Sequence, residues 1–235
     1  MDKLITMSGI TEEIAHIKGH PEKLIVFLHG YIDNSETLNR TITPFVDAMD
    51  NCAIHLPQAP IPCEIHERKR QWYSMHEFDP NDERKTVPTM RECAAIYNKM
   101  TRGFVSADGY LAPYIDSLLS EYGLDESKLY LCGFSQGAML AIFSALMRDE
   151  NIGGCVSFSG IIAPHSYLSR HASSHPDMLL IHGDADNLVR FKAQDYTRKK
   201  LETLGCKVEN YVISGGQHRI TADGLSAAAR FISTR

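Results

Sequence analysis

Residues Leu129–Ala141 read LYLCGFSQGAMLA. A short apolar run enters Gly-Phe-Ser-Gln-Gly, and a helix-forming run leaves it. A serine between two glycines at such a junction is either an ordinary tight turn or a nucleophile held out at a strand-to-helix corner. The G-x-S-x-G pattern alone cannot decide, because composition gives it roughly one chance in twelve of arising somewhere in a chain of this length. The flanks favour the nucleophile. Gly133 and Gly137 remove Cβ atoms that would collide in a strained corner, and the following helix start points N–H groups and a positive dipole end at the turn.

Outward from this stretch, short β-rich runs recur at Leu24–Leu28, Cys52–Leu56, Leu129–Gly133, Cys155–Ser159, Met178–His182 and Val208–Ile213. Several are nearly continuous in apolar residues, as strands buried on both faces of a parallel sheet should be. Helical patterns lie between them at Glu36–Met49, Glu92–Tyr122, Gln136–Met147, Val189–Leu204 and Ala222–Ile232. The second is expected to break near Gly103 or Gly109. Alternating β and α elements predict a mostly parallel, doubly wound α/β sheet flanked by helices, with ligands beyond the carboxyl ends of the strands. One domain over 1–235 fits the length. Segment 59–87 is too long for a plain connection. It reads as a loop excursion near the site or as a solvated surface segment.

The chain has 235 residues, 43% hydrophobic and 23% charged, with a formal net charge of −5. No basic run suggests a nucleic-acid partner, and no window is long and apolar enough to span a bilayer, so stable membrane insertion is not expected. The six cysteines form no C-x-x-C pair, which suggests free thiols in a reducing compartment. The first residues do not resemble a signal peptide, and a cytoplasmic location is expected. No H-E-x-x-H or comparable ligand spacing points to a metal. No cofactor is expected.

A serine hydroxyl attacks well only when a base takes its proton, and that base is usually a histidine oriented by a carboxylate. On a sheet of this kind the chain order is serine, acid, histidine. Of the eleven histidines, six precede Ser135. His165, His171 and His175 lie in a stretch that reads as a surface loop, and His182 ends a strand. His218, after the last strand and two glycines, remains as the candidate base. The acid is Asp184 or Asp186 in HGDADNLV; Asp184 suits a turn-tightening role and Asp186 a longer reach. Oxyanion donors are expected at the backbone N–H of Gln136, and at that of Tyr31, which follows His29-Gly30 in LIVFLHGYIDN.

Four segments together carry a family resemblance: FLHGY, LPQAPIPCE with RQWYSM, GFSQGAML, and HGDADNLV with the final H-x-I. The chain resembles the α/β-hydrolase branch of phospholipase/carboxylesterases and acyl-protein thioesterases, from about Leu24 to Ile232. The resemblance implies a cofactor-free serine hydrolase with Ser135 as nucleophile, Asp186 as acid, His218 as base, and Tyr31 and Gln136 as oxyanion donors. It selects Asp186 over Asp184, and it assigns Trp72 and Tyr73 to the lining of the acyl side of the pocket. Three positions depart from the pattern. Ile32 stands where many relatives have glycine. Asn187 follows the acid where proline or another small turn residue is usual, and Arg219 follows the histidine where glycine is common.

The expected substrate is a small to medium acyl ester, because Trp72, Tyr73 and Phe78 stand among many charges. A lysophospholipid or an S-acylated protein is the alternative. A catalytically silent ligand-binding module is the rival from another class. The chain is expected to act as a monomer or homodimer.

Overall fold

The alternating runs pair into one sheet. In the computed structural model, which describes residues 9–10 and 13–235, seven strands lie in the order β1-β3-β2-β6-β7-β8-β9. These are β1 (Glu13–Lys18), β2 (Lys23–Leu28), β3 (Cys52–Pro57), β6 (Leu129–Phe134), β7 (Gly154–Phe158), β8 (Met178–Gly183) and β9 (Val208–Ile213). All neighbours are parallel except β1, which runs antiparallel to β3. Two further strands, β4 (Ile61–Cys63) and β5 (His66–Gln71), form a separate antiparallel hairpin.

The continuous apolar runs are explained by burial on both faces. In β2, Leu24, Val26 and Leu28 join one core, while Ile25 and Phe27 join the other. The first core lies under α3 (Met90–Lys99), α4 (Thr101–Tyr122), α5 (Gln136–Met147) and α7 (Lys192–Thr203). The second lies under α1 (Ser35–Ala48) and α8 (Ala222–Ser233). Helix starts are set by side chains. Asn34 caps α1 by accepting from the Thr37 N–H, and Thr89 with Glu92 makes a reciprocal capping box on α3. Two short helices complete the set, α2 (Glu83–Thr86) and α6 (His165–His171).

The doubly wound sheet and the order of the expected strands match the sequence reading, with four corrections. The long helical pattern breaks at the buried Met100, not at a glycine. Gly103 and Gly109 both lie inside α4. Gly103 is there for packing, since a Cβ on it would sit 2.9 Å from the Tyr73 Cβ. β1 was not expected, because EIAHIK is an edge strand whose burial alternates between exposed and intermediate. Its first residue is anchored: His55 on β3 bonds the Glu13 carboxylate at 2.8 Å, and Tyr114 donates to the same oxygen. The supposed surface loop around His165 and His171 is α6. Segment 59–87 folds into the hairpin and α2, with Trp72 and Tyr73 buried beneath them.

The two α4 glycines should part company in a melting experiment. A Cβ at Gly109 meets nothing within 4 Å, so Gly109→Ala should raise stability by about 0.5–1 kcal/mol. Gly103→Ala overpacks against Tyr73 and should lower it by about 1–3 kcal/mol. Equal effects on the thermal midpoint would mean that the Gly103 contact is not a constraint.

Candidate active site

Ser135 stands between β6 and α5 with φ 53° and ψ −115°. Positive φ in a non-glycine residue is strained, and such strain persists only where the surroundings impose it. Here they do. A Cβ on Gly133 would lie 2.3 Å from the Gly137 carbonyl oxygen, and one on Gly137 would lie 2.4 Å from the carbonyl oxygens of both Leu28 and His29. The glycines let β6, the start of α5 and the end of β2 meet backbone to backbone.

Two other strand ends converge on this corner. Ser135 Oγ is 2.9 Å from His218 Nε2, and His218 Nδ1 is 2.7 Å from Asp186 Oδ2. His218 follows β9 and Asp186 follows β8. Their loops are stitched together: the Ala185 N–H donates to the Gly216 carbonyl at 2.9 Å, and a Cβ on Gly183 would fall 2.1 Å from that same oxygen. The other Asp186 oxygen accepts from the backbone N–H groups of Leu188 and Val189, both at 2.9 Å. Burial works against the Asp186 charge, but hydrogen bonds from His182 and His218 outweigh it and hold the carboxyl well below the usual carboxylate range. Asp184 faces outward, and its Oδ1 accepts from the Gly215 N–H at 2.6 Å. The two aspartates, alike in sequence, are separated by this geometry.

Gln136 opens α5, where a backbone N–H has no intrahelical acceptor. Tyr31 follows Gly30 in the loop after β2. The carbonyl of Gly30 and the N–H of Tyr31 belong to one peptide plane, and His29 fixes that plane. Burial drives the His29 pKa down to about 4, so the ring is neutral. Its Nδ1 pairs with the Gly30 carbonyl at 2.8 Å, and its Nε2 accepts from the Ala59 N–H at 3.1 Å. Together these contacts define a neutral ring with the proton on Nδ1.

Trp72 and Tyr73 are corrected here. They are 0% and 1% exposed and stand behind the site without lining the cleft. The Trp72 indole N–H donates to the His29 carbonyl at 2.9 Å, and its backbone N–H donates to Gln136 Oε1 at 3.0 Å. The Gln136 side-chain amide in turn donates to the Tyr73 carbonyl at 2.8 Å. These residues brace the loop after β2 and the start of α5. The cleft, about 410 Å³, is lined from the 59–87 segment by Ile65, Met75, Asp79 and Arg84 instead, opposite Met139 and Leu188.

The sequence reading placed His182 at the end of a strand but gave it no role at the site; it is buried, its Nε2 donates to the Val189 carbonyl at 2.8 Å and it lies 3.4 Å from Asp186. A signal for it was present: His-Gly directly follows β2 and closes β8, and in both places the buried ring pins a carbonyl of the loop beyond. Ile32 lines the cleft with φ 56°, in the backbone region that favours glycine. Arg219 is exposed and donates to Gln217, away from the cleft. Among the described residues, no cluster of His, Cys, Asp and Glu could hold a metal ion, and no helix is long and apolar enough to cross a membrane.

A sheet of this topology, with a serine at the corner after β6 and an acid and a histidine after the last two strands, defines the α/β-hydrolase fold. The chain belongs to the phospholipase/carboxylesterase family, whose model matches residues 10–235. It is 27% identical to a probable carboxylesterase of Oryza sativa over 90% of this chain and 87% of that protein. It is 21% identical to acyl-protein thioesterase 1 of Neurospora crassa over 90% and 86%. Among solved structures it is similar to esterase PE8, with 26% identity, a TM-score of 0.80, and 95% and 97% of the two chains covered. The protein is thus a serine ester hydrolase of the carboxylesterase and acyl-protein thioesterase type.

Ile32 offers a direct check on the strained loop. A β-branched residue in the left-handed region costs roughly 1–2 kcal/mol, so Ile32→Gly should leave the melting temperature unchanged or raise it, despite the lost side chain. A fall equivalent to more than about 2 kcal/mol would show that Ile32 packing outweighs the strain.

Proposed function

We propose that the protein hydrolyses small to medium acyl esters through an acyl-enzyme on Ser135. His218 takes the Ser135 proton as Oγ attacks the ester carbonyl. The N–H groups of Tyr31 and Gln136 receive the charge that develops on the carbonyl oxygen. His218 then protonates the departing alcohol, and water repeats the sequence on the acyl-enzyme. Asp186 keeps the histidine in the tautomer that presents Nε2 to the serine. The observation that carries this reading is the continuous chain Ser135 Oγ, His218 Nε2, His218 Nδ1, Asp186 Oδ2, with both contacts at hydrogen-bond distance.

The cleft volume lies near the lower end for small-molecule sites, which supports a modest substrate over a long-chain lipid. One sheet supplies every group, so the reading needs no second domain. The six cysteines are free and buried, which supports a reducing, cytoplasmic setting.

Chromogenic esters of increasing acyl length should be turned over by the wild type, and Ser135→Ala should lose about three orders of magnitude or more in kcat. If the wild type is inert toward the whole series, the chain is a binding module that has kept the fold. Asp186→Asn should cost far more than Asp184→Asn, because only Asp186 reaches the histidine. Equal losses would remove the acid role. Asp186 stays ionised far into the acid range, so the acid limb of the rate profile belongs to the histidine: protonated, it cannot act as base, and kcat/KM should fall as pH is lowered. A kcat/KM that does not fall on acidification would contradict that role.

A further inference from the structure

Beside the catalytic cleft, among α2, α3 and the start of α7, lies a second and much smaller cavity of about 10 Å³. Its polar side chains are Arg84, Cys93, Tyr97 and Arg190. Arg190 is the one that its surroundings leave unsatisfied. Its Nη2 is buried and has no hydrogen-bond partner among the described residues. Its charge is also unmatched. Asp79 and Asp82 pair with Arg84, Asp186 pairs with His218, and among the described residues no carboxylate pairs with Arg190. The acids in the cavity wall do not fill this role. Burial pushes the Cys93 thiol up, with Arg190 offsetting only part of the effect, and burial also pushes the Tyr97 phenol up. Both therefore keep their protons at neutral pH. A buried cation without a counter-charge is costly.

We infer that this cavity binds one monatomic anion of the halide class, held by the Arg190 guanidinium. Size selects the class: the space takes about one water-sized particle, so phosphate and carboxylate groups do not fit. Hydrogen bonding favours an anion over a water. A water accepts from Nη2 but must then place two O–H groups of its own. The Tyr97 oxygen already faces Arg84, the Cys93 sulfur faces Arg190, and the Val189 carbonyl accepts from His182. An anion needs donors only, and it supplies the missing charge. Arg190 as a whole is half-buried, so a single side chain separates the cavity from solvent. Leu188 and Val189 line the same cavity and give Asp186 its two backbone N–H bonds. A bound ion thus braces the loop that carries Asp186 against α3.

The test replaces gluconate with chloride at a fixed ionic strength of about 0.3 M, which keeps screening constant, and follows the thermal midpoint. The wild-type midpoint should rise and saturate, by roughly 3 °C once chloride stands about tenfold above its Kd. Arg190→Met removes the cation and should abolish the response. Ala193→Leu keeps Arg190 but fills the cavity, and it should abolish the response as well. Salt effects on the general surface would act on all three proteins alike. Wild-type crystals soaked in bromide should give an anomalous peak in the cavity beside Arg190, and this result decides the matter if neither variant folds. A wild-type midpoint that chloride does not move, or one that moves equally in Arg190→Met, overturns the anion site and leaves a bridging water in its place. Melting requires no turnover, so that outcome leaves the hydrolase reading untouched.

Discussion

The active site depends on how closely three pieces of backbone can approach at the corner after β6. A side chain at Gly133 or Gly137 would place carbon well inside van der Waals contact of a carbonyl. With glycine at both, the end of β2 comes close beneath the first turn of α5, and the serine between them is forced to positive φ. The strain is thus a consequence of packing, and the packing also brings the loop after β2 against the start of the helix. Ser135 and the two N–H groups proposed as oxyanion donors are therefore fixed by one constraint. The same device recurs on the other side of the site, where Gly183 lets the loops after β8 and β9 touch and so sets Asp186 against His218.

Around these contacts the polar groups are spent on aiming peptide planes. His29 and His182 each close a strand, and each is buried and bonded to a loop carbonyl. Neither is placed to touch a substrate ester. Trp72 extends this layer: its indole holds the His29 carbonyl, while Gln136 holds the backbone of Trp72 and Tyr73. Preorganised dipoles are worth most when they need not reorient during reaction. A neutral, buried imidazole suits that task, since it offers one donor and one acceptor and carries no charge that burial would penalise.

Much of the fold was legible because its strands are buried on both faces, and such strands write themselves as continuous apolar runs. The corner serine and its partners were legible because chain order on a parallel sheet restricts where an acid and a base can stand. The remainder was hidden for identifiable reasons. β1 is a half-exposed edge strand, and its alternation is diluted by charge. The end of α3 at Met100 carries no glycine or proline to mark it, while Gly103 looks like a breaker but serves a contact with Tyr73. Trp72 misled because an aromatic in a charged loop resembles a pocket wall. Its indole N–H has an internal acceptor some forty residues away in sequence, which no local pattern reveals.

Chemistry and selectivity are carried by different parts of the chain. The reacting groups sit on turns that follow strands of the sheet, where register fixes them and a shift of one residue would reverse every buried face. Much of the cleft wall comes from the 59–87 excursion, which adds no strand to the seven-stranded sheet; Trp72, Tyr73 and Ala59 tie it to His29 and Gln136, and Gln71 and the Asp79–Arg84 pair brace it internally. Substitutions at its cleft-lining positions, away from Trp72 and Tyr73, leave these braces untouched, so the wall can change shape while the serine and its partners stay in place. A buried ion pair is a weak source of stability, because desolvation offsets most of the attraction. The Asp79–Arg84 pair therefore contributes shape and charge to the cleft wall more than strength.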